Sequence, residues 1–121
     1  MLAAGERLER DVLAACLRHP SLRDGLAAMS PEHFENADHR RVREAIVRGR
    51  EIDDDLVALH AALDALADRN AIDQRTGQEL LYRLRERKLR RDLVDAASDL
   101  VRTTELQAQL AKVRQALGEL A

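Results

Sequence analysis

The sequence predicts an all-α protein, a compact multi-helix bundle followed by a long antiparallel helical hairpin. Hydrophobic residues make up 45% of the 121 residues, yet aromatic residues make up only 2%. Leu, Ala and Arg dominate, and only two prolines are present. These abundant residues lose little freedom in a helix, whereas strands are rich in β-branched and aromatic residues. The composition therefore favours helices, and the length corresponds to one domain.

The first helix is predicted over residues 6–18. Its apolar residues recur at helical spacing, and a proline soon after residue 18 blocks its continuation. Ser21 is the expected cap of a short second helix that contains Leu26 and Met29. The face of the first helix that we expect to be buried consists of Leu8, Val12, Ala15 and Cys16.

Residues 30–46, SPEHFENADHRRVREAI, concentrate histidine and acidic residues. The serine and proline that open this segment suit the start of a helical turn, which would direct Phe34 into the core. Asn36 is the expected cap of a helix over residues 37–48, and Gly49 is the expected residue that ends it. The polar residues of this segment are therefore interpreted as structural.

An acidic triplet at residues 53–55 is predicted to begin the next helix, because carboxylates are favourable at the positive end of a helix dipole. Leucines follow at spacings of three, four and three, which predicts one buried stripe. This stripe consists of Leu56, Leu59, Leu63 and Leu66.

Two long helices are predicted after residue 73. Thr76 with Glu79 forms a capping box that opens a helix reaching Arg102, and Thr104 with Gln107 forms a second one. The turn between the helices would then be very short, which is typical of an antiparallel hairpin. The helices are expected to pack through two apolar stripes: Tyr82, Leu89, Leu93, Ala96 and Leu100 in the first, and Leu106, Leu110, Val113, Leu117 and Leu120 in the second.

The change from short capped helices to two long ones predicts two subdomains. Residues 1–73 would form the compact bundle, and residues 74–121 would form the hairpin. The hairpin is expected to pack only partly on the bundle, so its amides should exchange faster with solvent.

Catalytic, metal-binding and cofactor-binding motifs are not found in the sequence. The four histidines are never three or four residues apart, and neither a zinc motif nor a phosphate-binding loop is present. The serines are interpreted as caps or helix residues, and Cys16 lies on an apolar helix face. We expect no catalytic residue, metal or cofactor, and we interpret His33 and His39 as surface or capping residues.

Basic residues cluster in YRLRERKLRR, residues 82–91, with six cations in nine residues. This run is compatible with phosphate contacts, with docking on an acidic protein, or with a solvated helix face balanced by Glu86 and Asp92. Aromatic residues that stack on bases are scarce, and the formal net charge is −2. We therefore favour the last two interpretations over nucleic-acid binding.

The sequence also predicts a cytoplasmic location. A single cysteine forms no internal disulfide, and the N-terminal residues lack the apolar stretch of a signal peptide. No uncharged run approaches the length of about 18 residues that a membrane helix needs.

Several segments resemble known replication modules. ERLERDVLAACLRHPSLRDGL followed by MSPEHFENADHRRVREAI resembles a helix pair shared by two modules: the N-terminal domain of DnaB-type replicative helicases and the C-terminal helicase-binding domain of DnaG-type bacterial primases. GQELLYRLRERKLRRDL and TTELQAQLAKVRQAL resemble the ending of the primase module, a long basic helix folded back as a hairpin. Helicase domains usually carry an Asn- and Ala-rich segment before their hairpin, which this sequence lacks.

The resemblance implies a non-catalytic domain that docks DNA primase on the N-terminal domain of a DnaB-type helicase during primer synthesis. Primase activity would then belong to other domains of a longer polypeptide. The alternatives are the helicase N-terminal collar itself, which self-associates, and a helical nucleic-acid-binding module. No small-molecule substrate or membrane is expected as a partner. The hairpin would make the helicase contacts, and the predicted contact residues flank its packed stripe: Arg102, Gln109, Lys112, Ala116 and Leu120.

Overall fold

The computed structural model describes residues 3–120, and over this range the chain is all-helical, as predicted. Short 3-10 turns precede or separate the helices at Pro20–Leu22, Pro31–His33 and Asp54–Leu56. None of the helices in this range is long and apolar enough to cross a membrane. The α-helices are α1 (Ala4–Arg18), α2 (Arg23–Ala27), α3 (Ala37–Arg48), α4 (Val57–Arg69), α5 (Gln74–Asp95) and α6 (Leu100–Leu120).

Helix α1 is the central element of the bundle. It packs against α3, α4 and α5, and residues 12–16 are five consecutive residues with no exposed surface. The sequence predicted burial of one face only, because the contacts that cover the other sides come from helices distant in the chain. The enclosure is confined to this stretch, because Arg7 and Arg18 near the two ends of the same helix are exposed.

The segment around Phe34 folds as predicted. Phe34 is 1% exposed, and the side chain of Asn36 accepts hydrogen bonds from the amides of Asp38 and His39, at 2.9 and 3.1 Å. Gly49 ends α3 in the left-handed conformation, with φ of 64°, which a side chain would disfavour. Local capping chemistry therefore determines both ends of this helix.

Three predicted helix starts are different in the structure. Ser21 does not cap α2, because the start of α2 has no side-chain cap. Ser30 was expected to cap the turn at Pro31–His33, but its Oγ lies 3.2 Å from His33 Nδ1. The acidic triplet begins a 3-10 turn rather than α4. Two of its carboxylates accept hydrogen bonds from Arg41 in α3: Asp53 at 2.9 Å and Asp55 at 2.8 Å. The guanidinium lowers the pKa of Asp55 below its ordinary value.

The turn between the last two helices was predicted at the wrong place. Helix α5 ends at Asp95 and α6 begins at Leu100, so the turn lies at residues 96–99. The Asp99 carboxylate accepts a hydrogen bond from the Arg102 amide at 3.0 Å, whereas the Thr104 hydroxyl donates to the Leu100 carbonyl inside the helix. An aspartate cap is at least as effective as threonine, and here it acts five residues earlier.

A similar shift occurs at the start of α5. The Asp73 carboxylate accepts a hydrogen bond from the Thr76 amide at 2.7 Å, so Thr76 lies inside the helix rather than at its cap. The backbone and side-chain hydrogen bonds from Thr76 lower the pKa of Asp73.

Helices α5 and α6 run in opposite directions along each other. Arg75 at the start of α5 donates to the carbonyl of Leu120 at the end of α6, at 2.7 Å. At the other end, the Thr103 hydroxyl donates to the Ala96 carbonyl at 2.9 Å. Leu106, Leu110 and Val113 of α6 are buried, but Leu100 is 80% exposed, so its predicted place in the packed stripe is wrong.

Helix α5 also belongs to the core of the bundle. Leu81 and Leu84 are buried in the same apolar cluster as α1, and Gly77 marks a close approach to neighbouring side chains. A Cβ at Gly77 would lie 2.3 Å from Leu22 Cδ1 and 3.2 Å from the Cβ of Ala15. The division into subdomains at residue 73 stays a prediction, and α5 contributes side chains to both parts.

Candidate functional site

A buried ionic network joins α1, α3 and α5. Glu9 is 1% exposed, and its carboxylate accepts hydrogen bonds from Arg87 Nη2 at 2.7 Å and from the amides of Glu35 and Asn36 at 3.2 Å. His39 Nδ1 lies 3.0 Å from the same carboxylate. Burial acts to raise the pKa of Glu9, but together the hydrogen bonds outweigh burial and hold this pKa below its ordinary value.

Arg87 and its neighbour Arg91 fix α5 to the segment that contains Phe34. Arg87 also donates to the carbonyls of Gly5 at 3.0 Å and His33 at 2.8 Å. Arg91 donates to the Glu35 carboxylate and to the Glu32 carbonyl, both at 2.8 Å. This part of the basic helix therefore holds the fold together.

The sequence-based prediction for His39 is wrong. We predicted a surface or capping residue, but His39 is 3% exposed. Because its ring contacts a carboxylate thirty residues earlier in the chain, no local spacing rule indicates the pair. His33 is half-buried, and burial lowers its pKa, with Lys88 and Arg85 adding to that effect.

The remaining cations of the basic run are mostly balanced by carboxylates. Arg83, Lys88 and Arg90 each form ion pairs with acidic residues one turn away on the same helix. Arg85 differs, because its guanidinium lies over the ring of Tyr82, 5.8 Å from the ring centre. The charge of residues 82–91 is therefore largely used within the fold.

The tip of the hairpin exposes three large apolar side chains. Val94, Leu100 and Val101 are 76%, 80% and 71% exposed, on either side of the turn at residues 96–99. These exposed residues were not predicted, because the predicted α5 continued through the turn and Leu100 was placed in the packed stripe. The small and acidic residues of DAASD, 95–99, are the signal that indicates the turn.

The predicted contact residues fall into three groups. Arg102 is exposed near the tip and lies 3.6 Å from the Glu105 carboxylate. Gln109 and Lys112 are exposed and line one cleft together. Ala116 and Leu120 are half-buried. The structure thus brings Gln109 and Lys112 together, while Arg102 lines a different surface region beside the turn.

The cleft lies between the bundle and the hairpin and has a volume of about 350 Å³. Met29 and His33 come from the bundle, Arg85 and Leu89 from α5, and Lys112 from α6. It is a mixed surface, with apolar walls and two permanent cations.

The described residues 3–120 offer few groups suited to metal binding or to thiol chemistry. Within residues 3–120, no three His, Cys, Asp or Glu side chains are placed to hold a metal ion together. Cys16 is fully buried, and burial raises the pKa of its thiol to about 12. A protonated, enclosed thiol is a poor nucleophile.

Comparison with known proteins gives no match for the chain among family models, curated proteins or solved structures.

Proposed function

We propose that this chain is a non-catalytic interaction domain that docks a bacterial DNA primase on a DnaB-type replicative helicase. The support comes from two sources: the resemblance of the quoted segments to the primase module, and the exposed apolar patch at the hairpin tip. Such a role takes place in the cytoplasm, and primer synthesis itself would require domains beyond these residues.

The exposed apolar residues at the hairpin tip are the main structural support for helicase docking. Isolated apolar residues are common on surfaces, but three large exposed ones beside a single turn give a partner protein apolar area to cover. Polar residues lie at the same turn, including Asp95, Asp99 and Arg102. An apolar centre with a polar rim is the usual composition of a protein interface.

The outer residues of α6 are secondary contacts in this proposal. Arg102 is exposed near the patch and would extend the rim. Gln109 and Lys112 lie two to three turns further from the tip, and Ala116 and Leu120 are half-buried near the other end of the hairpin. We therefore expect substitutions at the tip to weaken helicase binding more than substitutions at these four positions.

The test is calorimetric titration of the full chain against the N-terminal domain of a DnaB-type helicase. Leu100→Ser and Val101→Ser should each raise Kd about fivefold or more, because losses at central interface residues exceed about 1 kcal/mol. Val57→Ser is the matched control, since Val57 is also exposed, at 55%, and lies at the start of a helix in the bundle. Equal binding by the tip variants and the control would refute the proposal.

Point variants are preferable to a shortened chain. Ending the chain near residue 73 would remove Leu81 and Leu84 from the core and Arg87 from the buried Glu9 carboxylate. Such a fragment would lose binding through unfolding, whichever surface docks. Circular dichroism of each full-length variant checks that helicity is retained.

The same samples distinguish the two alternatives. A helicase collar self-associates, so concentration-dependent mass in analytical ultracentrifugation would favour that function. A nucleic-acid-binding module would bind DNA with steep salt dependence. The pairing of most cations in residues 82–91 with carboxylates counts against this second alternative.

A further inference from the structure

We propose that the cleft between the bundle and the hairpin binds an acidic peptide segment that carries large apolar side chains. The site is separate from the apolar tip, and the inference does not rest on the proposed helicase docking. Its occupant is defined by the charge and the walls of the cleft.

The charge of the cleft comes from two cations that have no carboxylate partner in the described part of the chain. Arg87, Lys88 and most other cations of α5 and α6 lie within 4.0 Å of an acidic side chain. Arg85 and Lys112 have no such ion pair among residues 3–120, and both line this cleft. The guanidinium of Arg85 lies over the face of the Tyr82 ring, and this contact leaves its charge available to a carboxylate.

The two cations belong to different helices, so the fold itself brings them together. Arg85 is on α5 and Lys112 is on α6, which returns along α5 after the turn. Because both line one cleft, a bound segment with several carboxylates has both cations within the same site. An arginine presents a planar fork that fits a carboxylate, and a lysine adds a more mobile point charge.

Apolar side chains also line the cleft, so a ligand needs apolar groups as well as negative charge to fit it. Met29, Leu89 and Val113 contribute to its walls, together with Ala28. Methionine is flexible and adapts to varied apolar partners. The volume of about 350 Å³ is near the lower end of the range for ligand sites and suits a few side chains.

A peptide fits these properties better than a nucleic acid does. Bases bind proteins by stacking on aromatic side chains, yet the chain contains one Phe and one Tyr. Phe34 is buried in the core, and the ring of Tyr82 is covered by Arg85. Carboxylates with adjacent leucine or isoleucine side chains match both the cations and the apolar walls.

The experiment measures fluorescence anisotropy of a fluorescein-labelled peptide, GSEELLEEIGS, titrated with the full chain. Two matched peptides separate the contributions: GSQQLLQQIGS lacks the charges, and GSEESSEESGS lacks the apolar side chains. We expect saturable binding of the first peptide and at least tenfold weaker binding of each matched peptide. Chemical-shift changes at the amides of Ala28, Leu89 and Gln109 would locate the peptide in the cleft.

Variants of the protein test the same site. Arg85→Gln and Lys112→Gln should each raise Kd about two- to fivefold, the range for an exposed charge pair. Gln109→Trp keeps both charges but fills the mouth of the cleft, so it should also weaken binding. Arg50→Gln is the matched control, because it removes one exposed positive charge outside the cleft.

Three results would overturn the inference. The first is equal binding of the charged and uncharged peptides. The second is a loss of affinity in Arg85→Gln and Lys112→Gln no larger than in Arg50→Gln, with native circular dichroism in all three. The third is tighter binding of a labelled twelve-residue oligothymidylate that depends on the same two cations. Failure of this test leaves the tip variants and the helicase titration unaffected, so the two proposals are judged separately.

Discussion

Replacing Glu9 with glutamine is the most informative perturbation of the fold. The substitution keeps the size of the side chain and removes the charge that faces Arg87. It also places an amide NH₂ opposite groups that already donate, namely Arg87 and the amides of Glu35 and Asn36. Loss of hydrogen bonds and an uncompensated cation should both destabilise the native state.

The expected cost follows from the burial of the two partners. Breaking a fully buried ion pair costs about 3–5 kcal/mol. The Glu9 side chain is 1% exposed, but that of Arg87 is 22% exposed, so water solvates part of its charge. We therefore expect Glu9→Gln to lower the free energy of unfolding by about 2–3 kcal/mol, below the full buried value. The corresponding fall in Tm is about 6–15 °C for a chain of this length.

Urea unfolding followed by circular dichroism measures this loss. Glu105→Gln is the matched control, since Glu105 is exposed and lies 3.6 Å from Arg102, and it should cost less than about 0.5 kcal/mol. Arg87→Met completes a double-mutant cycle with Glu9→Gln, with an expected coupling of about 1–2 kcal/mol. A cost of Glu9→Gln equal to that of Glu105→Gln, or strictly additive effects in the cycle, would refute the reasoning.

The pH dependence gives an independent check on Glu9. Because the folded pKa of Glu9 is below its ordinary value, the ionised carboxylate stabilises the fold fully above the unfolded pKa of about 4.3. This contribution is lost as the pH falls through the folded pKa. The difference in unfolding free energy between the wild type and Glu9→Gln should therefore shrink on acidification below about pH 4. A difference that grows on acidification would contradict the assignment.

Three further predictions concern packing, capping and the thiol. Gly77→Val should lower the free energy of unfolding by about 1–3 kcal/mol, because the new side chain would be overpacked against Leu22. Gly118→Ala should raise it by about 0.5–1 kcal/mol, because the position is open and alanine favours a helix more than glycine does. Thermal unfolding measures both changes, and a destabilising Gly118→Ala would contradict the helix-propensity argument. Asn36→Ala should cost about 1 kcal/mol by removing the cap of α3, with a loss below 0.3 kcal/mol counting against that role. The buried thiol of Cys16 should react with a thiol reagent only on unfolding, so rapid labelling of the native protein would show that the core opens.

Features controlled by neighbouring residues were predictable from the sequence. Helix α3 has the predicted bounds, because Asn36 and Gly49 determine its ends through contacts within four residues. The hairpin turn was misplaced because two candidate capping residues, Asp99 and Thr104, lie only five residues apart. That error also moved Leu100 from the exposed tip into the predicted packed stripe.

Features that join distant parts of the chain were not predictable. The chain has 22 acidic and 20 basic residues, so spacing alone gives no reason to pair Glu9 with Arg87. The same limitation applies to the cleft, whose cations lie on separate helices, Arg85 on α5 and Lys112 on α6. The sequence predicted Lys112 as a helicase contact, which stays a prediction, and only the packing of α6 against α5 places it in the same cleft as Arg85.

The link between Glu9 and Arg87 has a consequence for synthesis of the chain on the ribosome. Glu9 emerges 78 residues before the cation that neutralises it, and Leu81 and Leu84 emerge equally late to cover α1. Until then, the carboxylate has the amides of Glu35 and Asn36 and the ring of His39 as partners but lacks its arginine, so a nascent bundle gains less by closing. We therefore expect final closure to wait until α5 has been translated, so that completion of the core and positioning of the hairpin occur as one cooperative event.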